Sequence, residues 1–212
     1  MVSIVFASLA PSIALLCFFY LKDKYNSEPI SMVVRSFIFG SLIVFPVVVI
    51  QYAFQEEGLL LKPFAQAFLS ASLLEEFFKW FILFYTVYKH AHFNQHYDGI
   101  VYGVSVSLGF ATVENGLYLL VYGVDQALMR ALLPASSHAL FGVIMGYYLG
   151  KAKFTEKINE KKFLIYSFTI PWFLHGIYDY ILYVQRYWGF IMLPFMIFLW
   201  WLGLRKVKLA NR

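Results

Sequence analysis

The feature that most constrains this chain is a train of apolar runs, each close to the roughly 20 residues that a helix needs to cross a hydrocarbon core. They fall at about 2–21, 31–54, 63–88, 99–122, 130–150, 163–184 and 187–204. Between them lie KDKYNSEP (22–29), QEEGLLLK (55–62), HAHFNQHYDG (90–99), GVDQALMR (123–130), KAKFTEKINEKK (151–162) and a tight QR (185–186). Lipid offers no partner to backbone N–H and C=O groups, so such runs predict helices that bond within themselves. Hydrophobic residues make up 61% of the chain and charged ones 14%, which excludes separate soluble domains. Residues 1–212 therefore read as one all-α domain, a polytopic transmembrane helical bundle of about seven spans.

The net charge of +5 comes from 17 Lys and Arg scattered over short loops and the C-terminal end. In so apolar a chain they are topology signals and not a nucleic-acid surface. With the N-terminus outside, only Lys62, Arg130 and Arg186 face outward, Lys79 sits inside a helix, and the rest face inward. That bias predicts N-terminus outside and C-terminus inside. The first run has no basic residues before it, which suits a retained anchor better than a cleaved signal. Cys17 is the single cysteine, so an internal disulfide and a cysteine-rich zinc site are both excluded. No internal repeat or inverted pair of broken helices, of the sort found in many transporters, is visible.

Ionisable groups at membrane depth cost about 2.5–3.5 kcal/mol each on insertion scales, so each needs a partner or a task. Glu75, Glu76 and Lys79 lie in the third run, Glu114 and Asn115 in the fourth, His138 in the fifth, His175 and Asp179 in the sixth. At 1.5 Å per residue, Glu114 and His138 lie roughly 12 Å from the outer ends of their runs, His175 roughly 13 Å, Glu75 roughly 18 Å and Asp179 roughly 8 Å. Four helices thus place carboxylates and imidazoles in one outer slab. Lys79 stands at i+4 from Glu75 and i+3 from Glu76, able to neutralise either. Adjacent residues point about 100° apart, so the two glutamates are expected to differ in task, one facing a cavity and one bracing a neighbour. His175 and Asp179, at i and i+4, can form a carboxylate–imidazole pair.

Two chemistries fit this set. A carboxylate with one or two imidazoles can activate water, with Asn115 polarising a carbonyl. Alternatively His138 and His175, with Glu75 or Glu76, bind Zn²⁺ and leave a second glutamate as base. Neither HExxH nor GxSxG occurs. The competing readings are helix-to-helix glue and a proton- or ion-coupled transporter, which would also use mid-depth ionisable groups. His90, His92 and His96 lie on the opposite, inner side and read as a solvated loop.

The motifs EEFFK (75–79), DGIVYGVSVSLGFATVEN (98–115), HALFG (138–142) and HGIYD (175–179), in that order, with the flanks KDKYNSEP and MLPFMIFLWWLGLRK (192–206), give the chain a full-length resemblance to the PrsW family. These are bacterial intramembrane proteases related to prenyl-protein endopeptidases and bacteriocin-processing enzymes. The resemblance implies a multi-pass plasma-membrane endopeptidase that makes the first, extracytoplasmic cut in a membrane-anchored anti-sigma factor under envelope stress. An extracytoplasmic-function sigma factor is then freed by later proteases. Carried onto this chain, Glu75, Glu76, His138 and His175 become the catalytic set, supported by Lys79, Glu114, Asn115 and Asp179. Metallo- and glutamate-type mechanisms both remain open to it.

Overall fold

A computed structural model of the protein describes residues 2–24, 27–184 and 187–212. The expected break at Gln185–Arg186, and with it the outward placing of Arg186, lies outside the described residues. Among those residues the secondary structure is entirely helical, in ten α-helices numbered in chain order. They are α1 (Val2–Tyr20), α2 (Ile30–Leu42), α3 (Val44–Glu56), α4 (Pro63–Ala65), α5 (Ser72–Thr86), α6 (His96–Tyr122), α7 (Ala127–Arg130), α8 (Ser136–Lys153), α9 (Lys157–Val184) and α10 (Trp188–Ala210).

Among the described residues five helical stretches are long and apolar enough to cross a membrane: Val2–Tyr20, Ile30–Glu56, His96–Tyr122, Ala127–Lys153 and Trp188–Ala210. The stretch at 63–86 and α9 are not among them; they carry Glu75, Glu76, Lys79, His175 and Asp179.

Three runs expected to be continuous are interrupted. The run at 31–54 breaks at Ile43, where Pro46 has no N–H to offer Leu42 and its ring crowds that carbonyl. A π-helical turn, Gln66–Ala71, joins α4 to α5, and a second, Ala131–Ala135 with Pro134 inside it, joins α7 to α8. The segment 123–130, expected as a loop, contains a short 3₁₀ turn (Val124–Gln126) and α7.

The centre of the bundle is α6, whose residues Tyr97 to Ala111 are all buried. A helix apolar on every side needs neighbours on every side, and α6 is packed by α8, α1 and α2. Its approach to α8 depends on small residues: a Cβ on Gly142 would come within 2.6 Å of Gly103 O. Close backbone approach of this kind is how helices associate where no hydrophobic drive operates. It fixes Glu114 on α6 and His138 on α8 to one end of a rigid pair.

Candidate active site

The site starts at the π turn before α5. A π turn carries one more residue per turn than an α-helix and turns its carbonyls aside, so these need outside donors. Trp172 Nε1 on α9 donates to Phe68 O at 2.7 Å, Ser72 Oγ donates to the same oxygen at 3.3 Å, and Gln51 Nε2 on α3 donates to Ser70 O at 3.3 Å. Gly176 leaves room for the Phe68 ring against α9. The turn is thereby locked to α9 beside His175, and the next turn of α5 carries Glu75, Glu76 and Lys79 toward it.

Lys79 is fully buried, and all three of its N–H donors are used. Nζ reaches Glu76 Oε1 at 2.9 Å, His138 Nδ1 at 3.0 Å and Glu75 Oε2 at 3.4 Å, and it lies 4.2 Å from the centre of the Phe110 ring. Two carboxylates and an aromatic face offset the desolvation of one ammonium. An ammonium only donates, so His138 Nδ1 must accept and the imidazole proton sits on Nε2. From there it is donated to Glu114 Oε2 at 2.8 Å.

His175 has the complementary arrangement. Its Nδ1 donates to Glu76 Oε1 at 2.9 Å, which points Nε2 at Asp179 Oδ2 (3.5 Å) and Glu75 Oε2 (4.0 Å). Phe141 stacks on the His175 ring at 4.9 Å, and the two imidazole centres are 5.1 Å apart. Glu75, Glu114, His138, His175 and Asp179 line a cavity of about 840 Å³, with walls that include Gln51, Tyr118, Tyr178 and Tyr183. That volume accepts a peptide segment.

The expected convergence of the third to sixth runs is therefore found, and the two glutamates divide as their 100° offset implies. Glu75 opens to the cavity; Glu76 is wholly enclosed and reaches it only through His175 and Lys79. Asn115 is buried but is not among the cavity-lining residues. Of the three histidines expected in a solvated loop, His92 is exposed there, His90 is half-buried, and His96, exposed, is the first residue of α6. The contact of Lys79 with His138, and the place of Gln51, were missed by sequence reasoning. A lone amide within VVVIQYAF at helical depth was the available signal.

A second buried carboxylate group, also unread in the sequence, lies at the other end of α6. Glu28, before α2, and Asp98, in the first turn of α6, are both buried and lie near each other. Tyr102 donates its hydroxyl to Glu28 Oε2, and Asp98 Oδ2 accepts from the backbone N–H groups of Asn94 (2.7 Å) and Gln95 (2.6 Å). Sixteen residues of helix separate Asp98 from Glu114, about 24 Å.

The metal option can be tested on the donors themselves. One ligand atom each from Glu75, His138 and His175 lies within 4.8 Å of the others, the one such group among the described residues. Two imidazoles and a carboxylate are a donor set found in catalytic zinc sites, and the Glu76–His175 bond is the outer support such ligands receive. His175 Nε2 is ready to ligate; His138 would ligate through Nε2 only as its other tautomer, with the Nε2 proton leaving by way of the adjacent Glu114 for solvent and Nδ1 taking a proton from Lys79. The set fits a metal ion in kind, with some closing of the side chains onto bonds of about 2.0–2.1 Å.

A helical membrane bundle with carboxylates and imidazoles around a peptide-sized cavity defines a membrane-embedded hydrolase. Residues 28–202 match the family described as PrsW family intramembrane metalloprotease. Relatives named Protease PrsW include those of Geobacillus kaustophilus (57% identical over 211 residues, 100% of this chain and 93% of the relative) and Bacillus subtilis strain 168 (57% over 211, 100% and 97%). That of Halalkalibacterium halodurans is 54% identical over 213 residues, 100% of this chain and 99% of the relative. No solved structure matches the chain. The chain belongs to the PrsW intramembrane protease family: it is a membrane peptidase and a multi-pass bacterial membrane protein. The transporter alternative gains no support.

Proposed function

We propose that the chain makes the first, extracytoplasmic cut in a membrane-anchored anti-sigma factor, leading to release of an extracytoplasmic-function sigma factor during envelope stress. The reading takes seven spans in the plasma membrane, N-terminus outside and C-terminus inside, with the cavity open toward the outer leaflet. It is carried by one observation: Glu75, Glu114, His138 and His175 meet around a cavity large enough for peptide, at the end of α6 away from its basic-flanked start.

The residues divide by what they touch. Glu75, His138 and His175 would hold Zn²⁺, which when bound lowers the pKa of a water and polarises a carbonyl. Glu76 fixes His175 through Nδ1, and Lys79 fixes His138 while balancing the glutamate charges. Asp179 steadies His175 from its own helix. Glu114, at the cavity wall, takes the proton of the attacking water and returns it to the leaving amine nitrogen. Full-length similarity to enzymes named Protease PrsW supports the peptidase chemistry.

The test is reconstitution of the purified chain in liposomes with candidate anti-sigma factors, followed by mass mapping of products. One cut on the extracytoplasmic side is expected. Cleavage of other membrane-anchored peptides with every anti-sigma factor left intact would overturn the substrate reading.

A further inference from the structure

One polar residue of the cavity has no place in the mechanism above. Gln51 lies on the stripe of α3 formed by Val48, Gln51, Tyr52 and Gln55, which faces the cavity at helical spacing. It is half-buried. Its Nε2 donates to Ser70 O at 3.3 Å and to Glu75 Oε1 at 3.5 Å. A carbonyl oxygen and a carboxylate only accept, so both hydrogens of the amide are committed and the amide orientation is fixed. Its acceptor, Oε1, is left over, and among the described residues no hydrogen bond reaches it.

We infer that Gln51 is a positioning residue of this peptidase: Nε2 ties Glu75 to the π turn, and Oε1 receives a backbone N–H of an extended substrate segment next to the bond to be cut. The arrangement suits main-chain recognition. One amide side chain bridges a fixed carbonyl, a site carboxylate and open cavity, so it registers a peptide against Glu75 without reading its side chains. Glu75 is held at both oxygens, Oε1 by Gln51 and Oε2 by Lys79, and such constraint is what a reacting group requires. The inference rests on the site role proposed for Glu75.

The experiment uses the full chain in proteoliposomes with two probes, a membrane-anchored anti-sigma factor and unfolded β-casein, and Glu75→Gln as control. Gln51→Leu is expected to lower kcat by about 10-fold or more and to raise KM several-fold, with the melting temperature lowered by no more than about 5 °C. Gln51→Glu keeps an acceptor oxygen but sets a second carboxylate against Glu75. KM should then stay within about 2-fold of wild type while kcat falls by at least as much as in the leucine variant. Gln51→Leu with wild-type kcat and KM per folded enzyme, beside an inactive Glu75→Gln, overturns the inference. A loss confined to melting temperature and folded fraction does so too. An active Glu75→Gln overturns the site reading together with it, whereas uncut anti-sigma factor with casein still cleaved overturns only the substrate.

Discussion

The two ends of α6 hold the same expensive ingredient, buried carboxylates, and manage it in opposite ways. At the Glu114 end, Lys79 lies against Glu75 and Glu76 and His175 against Glu76, and the cavity opens to Glu75. At the Asp98 end, no ion pair among the described residues reaches Glu28 or Asp98. Asp98 Oδ2 accepts from two backbone N–H groups at the helix start, where the dipole also favours an anion. Glu28 instead keeps a proton: burial pushes its carboxyl up to about 8, with Asp98 beside it adding to the rise and the Tyr102 hydroxyl opposing it. One cluster is ion-paired and open to a cavity. The other is closed and ties the α1–α2 connection to the core, Tyr20 also donating to Glu28 O at 2.8 Å.

The sharpest contrast is in activity. Glu75→Gln or His175→Ala should abolish cleavage, a loss of about 10³-fold or more with the fold retained, whereas Glu28→Gln should leave the rate near wild type. Rates measured on reconstituted enzyme decide it, and a dead Glu28→Gln would break the division. Metal removal comes next. Chelator should silence the enzyme and Zn²⁺ restore it, with about one equivalent of metal per chain in the active form. Full activity at less than about a tenth of an equivalent would remove the ion from the Glu75, His138 and His175 set.

Lys79→Met should cost about 3–5 kcal/mol in denaturant stability, because it leaves two enclosed carboxylates without their cation. A cost below about 1 kcal/mol would mean that the Glu75–Glu76 cluster, like the Glu28–Asp98 one, relies on protonation. The Glu28–Asp98 cluster should show itself through pH. Folded Glu28 holds its proton to about 8, whereas the unfolded chain releases it near 4.5. Between those values the folded state binds more protons, so this group's contribution to stability falls as pH rises through the window. The melting temperature of Glu28→Gln should therefore gain on wild type from pH 5 to pH 8, and an unchanged difference would show that Asp98, Asp23 and the surrounding tyrosines leave Glu28 unshifted. The smallest effect is expected of Tyr102→Phe, about 1 kcal/mol for one hydrogen bond to Glu28.

Much of the candidate active site was legible because its signal is local. Carboxylates and imidazoles inside runs long enough to span a bilayer are costly anywhere in lipid, and the 3.6-residue period alone places Lys79 over both Glu75 and Glu76. The pair at the other end of α6 was not legible, since Glu28 and Asp98 stand in polar breaks where charge is normally solvated. Burial in the bundle, with Tyr20 and Tyr102 donating to Glu28, removes that water. Gln51 was missed for the related reason that one amide in an apolar helix has no local partner to betray it.

What the sequence determined by itself was the all-helical membrane class, the family and the residue types of the site, because apolar length, charge placement and motif order are properties of the chain in any conformation. The tertiary structure decided which nitrogen of each histidine faces the cavity, that Glu76 acts from behind His175, and that a π turn sets the facing of α5. The segment Gln66–Ala71 contains no proline or glycine, so nothing local asks for a π turn. It persists because Trp172 and Gln51, from other helices, bond the carbonyls that it turns aside, and partners so distant in sequence exist only once the bundle has formed.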